Sequence, residues 1–397
     1  MRLALIPLIG LAFALPAAAE DGVGAADRLM HEQLLVLDTH LDTPERLERP
    51  DWNFADWHVY AEDGTQVDLP RMKAGGLDGG FFVIYTEQGE LSPAGYAKAR
   101  DGALMRAVAI QHMVAENSDE MGFATTPEDA ERLTRQGKRI VYQSIENSYP
   151  LGTDLTLLGT FHRLGVRMAG PVHFKNNQFA DSATDKPRWN GLSPLGRQWV
   201  AEMNRLGMII DASHASDSAF DQMVALSKTP IILSHSGPKA MFDHARNLDD
   251  GRMRKLARSG GVLQVNSVYL VQHDTSEEWD AITEREAKWE ILGPAERRKL
   301  VADKAALSAR RPYTTANFEM FMKSLLHTIQ VMGVDHVGIG ADWDGGGGVV
   351  GMEDITALPK ITARLRQAGY GESDIAKIWG GNVLRLLRQA ERQAGKS

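Results

Sequence analysis

Residues 34–42 read LLVLDTHLD: four apolar side chains, then polar ones at alternate positions, Asp38, His40 and Asp42. Residues two apart in a β-strand share a face. The pattern therefore predicts a strand that leaves an apolar core and presents an imidazole and a carboxylate together at its C-terminal end. His40 and Asp42 on one rigid element are a start on a metal site. His-x-Asp also arises by chance, so its meaning rests on how the other strands end.

Seven further apolar strands are expected at 77–86, 139–146, 165–174, 207–214, 230–236, 261–266 and 336–345. Helical patterns at 93–117, 126–136, 155–164, 193–206, 216–226 and about 253–258 lie between them, and two more, near 355–368 and 373–387, close the chain. Ser193 followed by Pro194 is a helix start, with the hydroxyl as cap and proline in the first turn. Apolar strands alternating with helices predict an α/β fold, a parallel (β/α)8 TIM barrel of the metal-dependent, amidohydrolase-like type. An open doubly wound sheet would carry a glycine-rich phosphate loop after its first strand, and none is present. Residues 20–397 read as one catalytic barrel domain. A charged, helix-prone insertion at about 267–312 is long for a connection, which suits a lid, a subunit contact or a solvated excursion.

The polar residues at the strand ends are His40 and Asp42, Glu146, His173, His214, His235 and Asp342. A barrel brings those ends to one mouth, where active sites of this fold lie. Singly, each has a structural alternative: His214 and His235 as core imidazoles, Glu146 as a helix cap, Asp342 as a turn residue before Gly345–Gly348. Those alternatives would all have to hold at the same end of successive strands. The chain has no cysteine, so a metal would be held by His, Asp and Glu. Three imidazoles and three carboxylates exceed the three protein ligands of a mononuclear catalytic zinc. Glu146 is placed to bridge two ions sharing an activated hydroxide, with His40 and Asp42 on one and His214 and His235 on the other. Asp342 is left to carry the proton. Arg246, in HARNLDD after the sixth strand, is either a surface residue or a bidentate holder of a substrate carboxylate.

Composition narrows the setting. Of 397 residues, 43% are hydrophobic and 24% charged, and the net charge of -8 offers no footprint for nucleic acid. Residues 1–19 read as a signal peptide: Arg2, an apolar run, then Ala17-Ala18-Ala19. The expectation is a secreted or periplasmic protein with no transmembrane anchor after cleavage and no cysteine for lipidation.

With these residues in place, the sequence resembles the zinc-dependent membrane (renal) dipeptidases over about 34–387. DTHLDTP, VDLPRMKAGG, QSIEN, GVRMAGPVHFKNNQFADS, GLSPLGRQWVAEMNRLGMIIDASHAS, PIILSHSGPKAM, HARNLDD, GGVLQVN, DHVGIGADWDGGG and GNVLRLL follow in order. The resemblance implies a TIM barrel with two zinc ions that hydrolyses small dipeptides, including those with a C-terminal D-residue. It matches His40, Asp42 and Glu146 to one zinc, and Glu146, His214 and His235 to the other. Asp342 corresponds to the catalytic acid/base, His173 to the histidine that contacts and polarises the substrate, and Arg246 to the residue that binds its terminal carboxylate. A homodimer and a bacterial secreted member are also implied.

The chain departs from the family where Asn147 and Ser148 follow the bridging glutamate and where Ser267 and Val268 follow Asn266. Substrate preference is what these put in question. Two other readings stand beside the dipeptidase: another amidohydrolase-type activity on the scaffold, such as a lactonase or deaminase, and a non-catalytic metal- or ligand-binding protein. Arg246 separates the first, since a substrate without a free carboxylate leaves it idle. Asp342 argues against the second.

Overall fold

A computed structural model describes residues 22–49, 51–286 and 288–395. The expected signal peptide, 1–19, lies outside the described residues. Eight parallel strands form the barrel: β1 Leu37–Leu41, β2 Gly79–Ile84, β3 Arg139–Ile145, β4 Val166–Ala169, β5 Ile209–Ile210, β6 Ile232–Pro238, β7 Val262–Val265 and β8 Val337–Ile339. The first five pair in sequence, as do the last three. Parallel bridges between Asp211 and Ile232 and between Leu41 and Trp343 join the two sets, so the cylinder closes.

Apolar side chains account for the layers. Leu37, Phe81, Tyr142, Met168, Ile209, Ile232 and Val262, one from each of β1–β7, pack with Val383, Leu384, Leu386 and Leu387 of the terminal helix Asn382–Gln393. Alternate residues face the outer helices. Phe82 and Ile84 join Ala103, Ala107 and Ile110 of helix Pro93–Glu116 in the larger cluster. Fully burying one such Leu, Ile or Phe is worth roughly 1.5–3 kcal/mol, so the strands are fixed from both faces and their polar ends inherit that rigidity.

Several expectations needed correction. The strand expected over 165–174 stops at Ala169, because Gly170 and Pro171 follow and proline has no N–H for the ladder. That expected over 207–214 shrinks to Ile209–Ile210. There the Asp211 carboxylate accepts the backbone N–H groups of Ser213 (3.0 Å) and Ser234 (2.9 Å), replacing strand pairing. The helix expected near 373–387 is two, Glu372–Ala376 and Asn382–Gln393, joined by a wider π-type turn at Lys377–Gly381. Helix Phe318–Met332, capped by the Asn317 side chain, was not anticipated.

Within 267–312, helices Glu277–Glu286 and Pro294–Arg310 share a small core of Trp279, Ile282, Leu300 and Leu307. Arg297 Nη1 pairs with Asp51 (2.7 Å), and Arg49 lies 4.7 Å over the Trp289 ring, fastening this segment to the loop after β1. In that loop Phe54 is buried against Phe82, and Trp52 stacks on His58 at 4.7 Å. Those two aromatics serve packing.

Candidate metal centre

The strand ends converge on Glu146. Its Oε1 lies 2.9 Å from His214 Nε2, 3.5 Å from His235 and His173 Nε2, and 3.6 Å from His40 Nε2. His40 Nε2 is also 3.2 Å from Asp42 Oδ2 and 4.0 Å from Asp342 Oδ1, and the Nε2 atoms of His214 and His235 are 2.8 Å apart. Three trios each bring one donor atom per residue within 4.8 Å of one another: His40, Glu146 and His235; Glu146, His173 and His214; and His40, Asp42 and Asp342. The sequence grouping put His235 with His214 and kept His173 and Asp342 off the metals. The trios cut across that partition, with Glu146 in two of them and His40 joining those to the third.

The irregular backbone here is held by carboxylates that do not face the cluster. The β1–β2 register shifts between Asp38 and Leu41. Asp38 fills the gap by accepting the N–H of His40 (2.8 Å) and of Ala341 (3.0 Å), which ties β1 to the end of β8. Asp211 does the same between β5 and β6, and also accepts Ser234 Oγ–H at 2.5 Å. Because that hydroxyl donates to Asp211, its oxygen is left to accept Nδ1–H of His235 at 2.8 Å. His235 is thereby set with its Nε2 lone pair toward the cluster. Asp342 and Asp344 both take positive φ, 69° and 64°. Asp344 is clamped by the Gln66 backbone N–H (2.8 Å), the Thr43 hydroxyl (2.6 Å) and, through its own N–H, Gln66 Oε1 (2.8 Å). A Cβ at Gly345 would collide with the carboxylates of Asp42 and Asp342, so only glycine fits beside them.

The electrostatics show a site short of positive charge. Burial pushes Glu146 well above the usual carboxylate range and Asp342 up to about 6. Burial pulls His40 down, but the carboxylates of Asp42 and Glu146 outweigh it and hold the imidazole up at about 10. His214 and His235 are driven well below the ordinary imidazole range, first by burial. Burial, then Arg246, takes His173 down to about 3.

A cation fits this donor set. His40 Nε2 and Asp42 Oδ1 are buried without a hydrogen-bond partner. Donors held tetrahedrally at 2.0–2.1 Å from one ion sit roughly 3.3 Å apart, within the 2.8–4.0 Å range of separations found here. Arg246 is 2% exposed and is held through Nη1 to Ser236 Oγ (3.3 Å) and Nη2 to the His235 carbonyl (3.1 Å). Its Nε has no partner.

Comparison with known proteins gives this cluster its context. The family model for membrane dipeptidase (peptidase family M19) matches residues 25–397. The chain belongs to that family. It is a dipeptidase of the metallopeptidase class, dependent on a metal cofactor. The chain is similar to dipeptidase tcpJ of Claviceps purpurea, 31% identical over 82% of this chain and 69% of that one. Its fold is similar to the probable dipeptidase PvdM of Pseudomonas aeruginosa, with TM-score 0.79 and 32% identity over 93% of this chain and 98% of that one. A Rhodobacter sphaeroides metallopeptidase, solved with a phosphinate mimic of the dipeptide L-Ala-D-Ala, matches with TM-score 0.72 and 26% identity over 90% and 99%. Among the described residues no helix is long and apolar enough to cross a membrane.

Asp211, Ser234 and Gln66 were not singled out from sequence. DAS before His214 resembles DT before His40, an acidic residue just ahead of a histidine at a strand end, and that repeat was the available signal for Asp211.

Proposed function

We propose that this family member is a two-zinc dipeptidase that accepts dipeptides ending in a D-residue. The observation that carries the reading is Glu146, one carboxylate oxygen within 2.9–3.6 Å of four imidazole nitrogens. His40, Asp42 and Glu146 would hold one ion, and Glu146, His214 and His235 the other. Bound ions would supply a water of lowered pKa and an electrophile for the scissile carbonyl. Arg246 engages the substrate's terminal carboxylate, which fixes the dipeptide's direction. His173 is neutral at physiological pH, so it donates a hydrogen bond to the carbonyl oxygen as negative charge builds there. Asp342 takes the proton from the attacking water and returns it to the leaving amine. The ligand of the Rhodobacter relative, a mimic of L-Ala-D-Ala, supports a D-residue at the second position.

We further take residues 20–397 to be one catalytic domain working outside the cytoplasm once residues 1–19 are removed, and paired as a homodimer. Zinc-reconstituted protein assayed on matched L,L- and L,D-dipeptides, with a chelated control, tests the central reading. Two zinc ions per chain and chelator-sensitive turnover of both series are expected. Zinc-loaded protein that cleaves lactones but no dipeptide would overturn it.

A further inference from the structure

Arg246 sits at the end of a stack of rings. Its guanidinium carbon lies 5.2 Å from the centroid of Tyr269. The other neighbours of that ring include His244, parallel within 13° at 4.5 Å, and His244 is parallel within 9° to Phe242 at 5.8 Å. The backbone N–H of Arg246 donates to His244 Nδ1 at 3.2 Å. Asn247 ties the two loops together, its Nδ2 donating to the carbonyls of Phe242 and Tyr269, each at 2.9 Å. Among the described residues no carboxylate lies within ion-pair distance of the buried guanidinium, and its Nε–H is unused. The cation is thus pinned by a ring and two neutral acceptors, with a donor edge left over.

We infer that Tyr269 is a positioning residue for substrate recognition: the Phe242–His244–Tyr269 stack holds Arg246 flat and in register, so that its free edge meets the dipeptide's terminal carboxylate. This rests on the carboxylate role proposed for Arg246. An arginine stacked on an aromatic face loses little freedom when it binds, because the planar fork is already oriented. A desolvated cation–π contact of this kind corresponds to about 3- to 30-fold in binding. Tyr269 lies in the segment that follows β7 and Arg246 in the one that follows β6, so the device is built from the loops after two neighbouring strands at the barrel mouth.

The test uses the zinc-loaded enzyme with a dipeptide and its C-terminal amide. Tyr269→Leu should raise KM for the free dipeptide about 3- to 30-fold with kcat within twofold, and leave kcat/KM for the amide unchanged. Tyr269→Phe should recover most of the loss. In an Arg246→Ala background, Tyr269→Leu should add nothing. Should Tyr269→Leu fail to fold, Tyr269→Met, also without a ring, carries the same comparison. Equal losses on dipeptide and amide, or an unchanged KM in Tyr269→Leu where Arg246→Ala raises it, would overturn the inference. An unchanged KM in Arg246→Ala itself would remove the carboxylate role, and the inference with it.

Discussion

His31 gives the sharpest test of the barrel's construction, away from the metal centre. It sits in the last turn of helix Ala25–Gln33 and is 1% exposed. Trp379 Nε1–H donates to Thr362 Oγ1 (2.9 Å), Thr362 is 2.7 Å from His31 Nδ1, and His31 Nε2 is 3.0 Å from the Gly75 carbonyl. A carbonyl only accepts, so Nε2 carries the proton and Nδ1 accepts from Thr362: the network specifies the neutral ring. Burial, the largest cause, takes the imidazole from 6.5 down to about 4. Between those values the unfolded chain binds a proton that the folded one does not, so stability rises with pH. The contribution is complete above pH 6.5, falls as pH drops, and is gone below about 4. At 1.36 kcal/mol per unit the difference is about 3 kcal/mol, a sizeable part of a usual 5–15 kcal/mol stability. Urea unfolding of wild type and His31→Gln, both in chelator so that metal release plays no part, should show the wild type's advantage shrinking by about 3 kcal/mol between pH 7 and pH 4. Carboxylates that titrate in both proteins cancel in the difference. Parallel curves across that window would refute the buried neutral imidazole.

Two predictions concern the site. Asp342→Asn should lower kcat by about 10²- to 10⁴-fold while zinc content stays at the wild-type level, read by steady-state kinetics beside metal analysis; a loss under tenfold would remove the proton-carrying role. Asp211→Ala releases the Ser234 hydroxyl and, through it, the His235 tautomer, and should weaken zinc binding by about 10- to 100-fold. Competition with a chromophoric chelator measures that, and unchanged affinity would mean that the Asp211 relay does not set the ligand.

The fold was legible because barrel strands are buried on both faces and read as apolar runs, which β2 and β3 show well. Their ends were less so. Proline at 171 sits in the sequence as a visible stop, yet the apolar valine after it drew the expected strand onward to His173. Asp211 ended β5 early through a hydrogen bond to Ser234, 23 residues away, and no local pattern reports a partner at that range. Helix Phe318–Met332 was legible and missed: Phe321, Met322, Leu325, Ile329 and Met332 recur at three and four residues and are all buried. The packing of Phe54 on Phe82 and of Trp52 on His58 likewise joins residues that no local pattern pairs. The candidate site residues were readable as strand-end polarity. The ring stack behind Arg246 was not, since it joins two loops that the sequence separates.

Six of the buried acids, those around the barrel mouth, fall into two sets with opposite jobs, and that division explains how the mouth tolerates its own charge. Asp38, Asp211 and Asp344 spend their oxygens on backbone N–H groups and hydroxyls. Asp42, Glu146 and Asp342 face one another and the imidazoles instead. A left-handed backbone at a non-glycine residue costs on the order of 1–3 kcal/mol and persists only where surroundings over-determine it. Asp342 and Asp344 adopt it two residues apart, and the clamp of Gln66 and Thr43 on Asp344 supplies the over-determination. Gln66 also donates through Nε2 to the Gly347 carbonyl at 2.8 Å, so the turn is gripped on both sides of Gly345. The strain is therefore carried by the loop between β8 and the next helix, while His40 and His235 ride within packed strands and Glu146, His173 and His214 just beyond them. Rigid strands fix where a cation can sit, and a strained, clamped turn fixes where the proton-carrying carboxylate meets it.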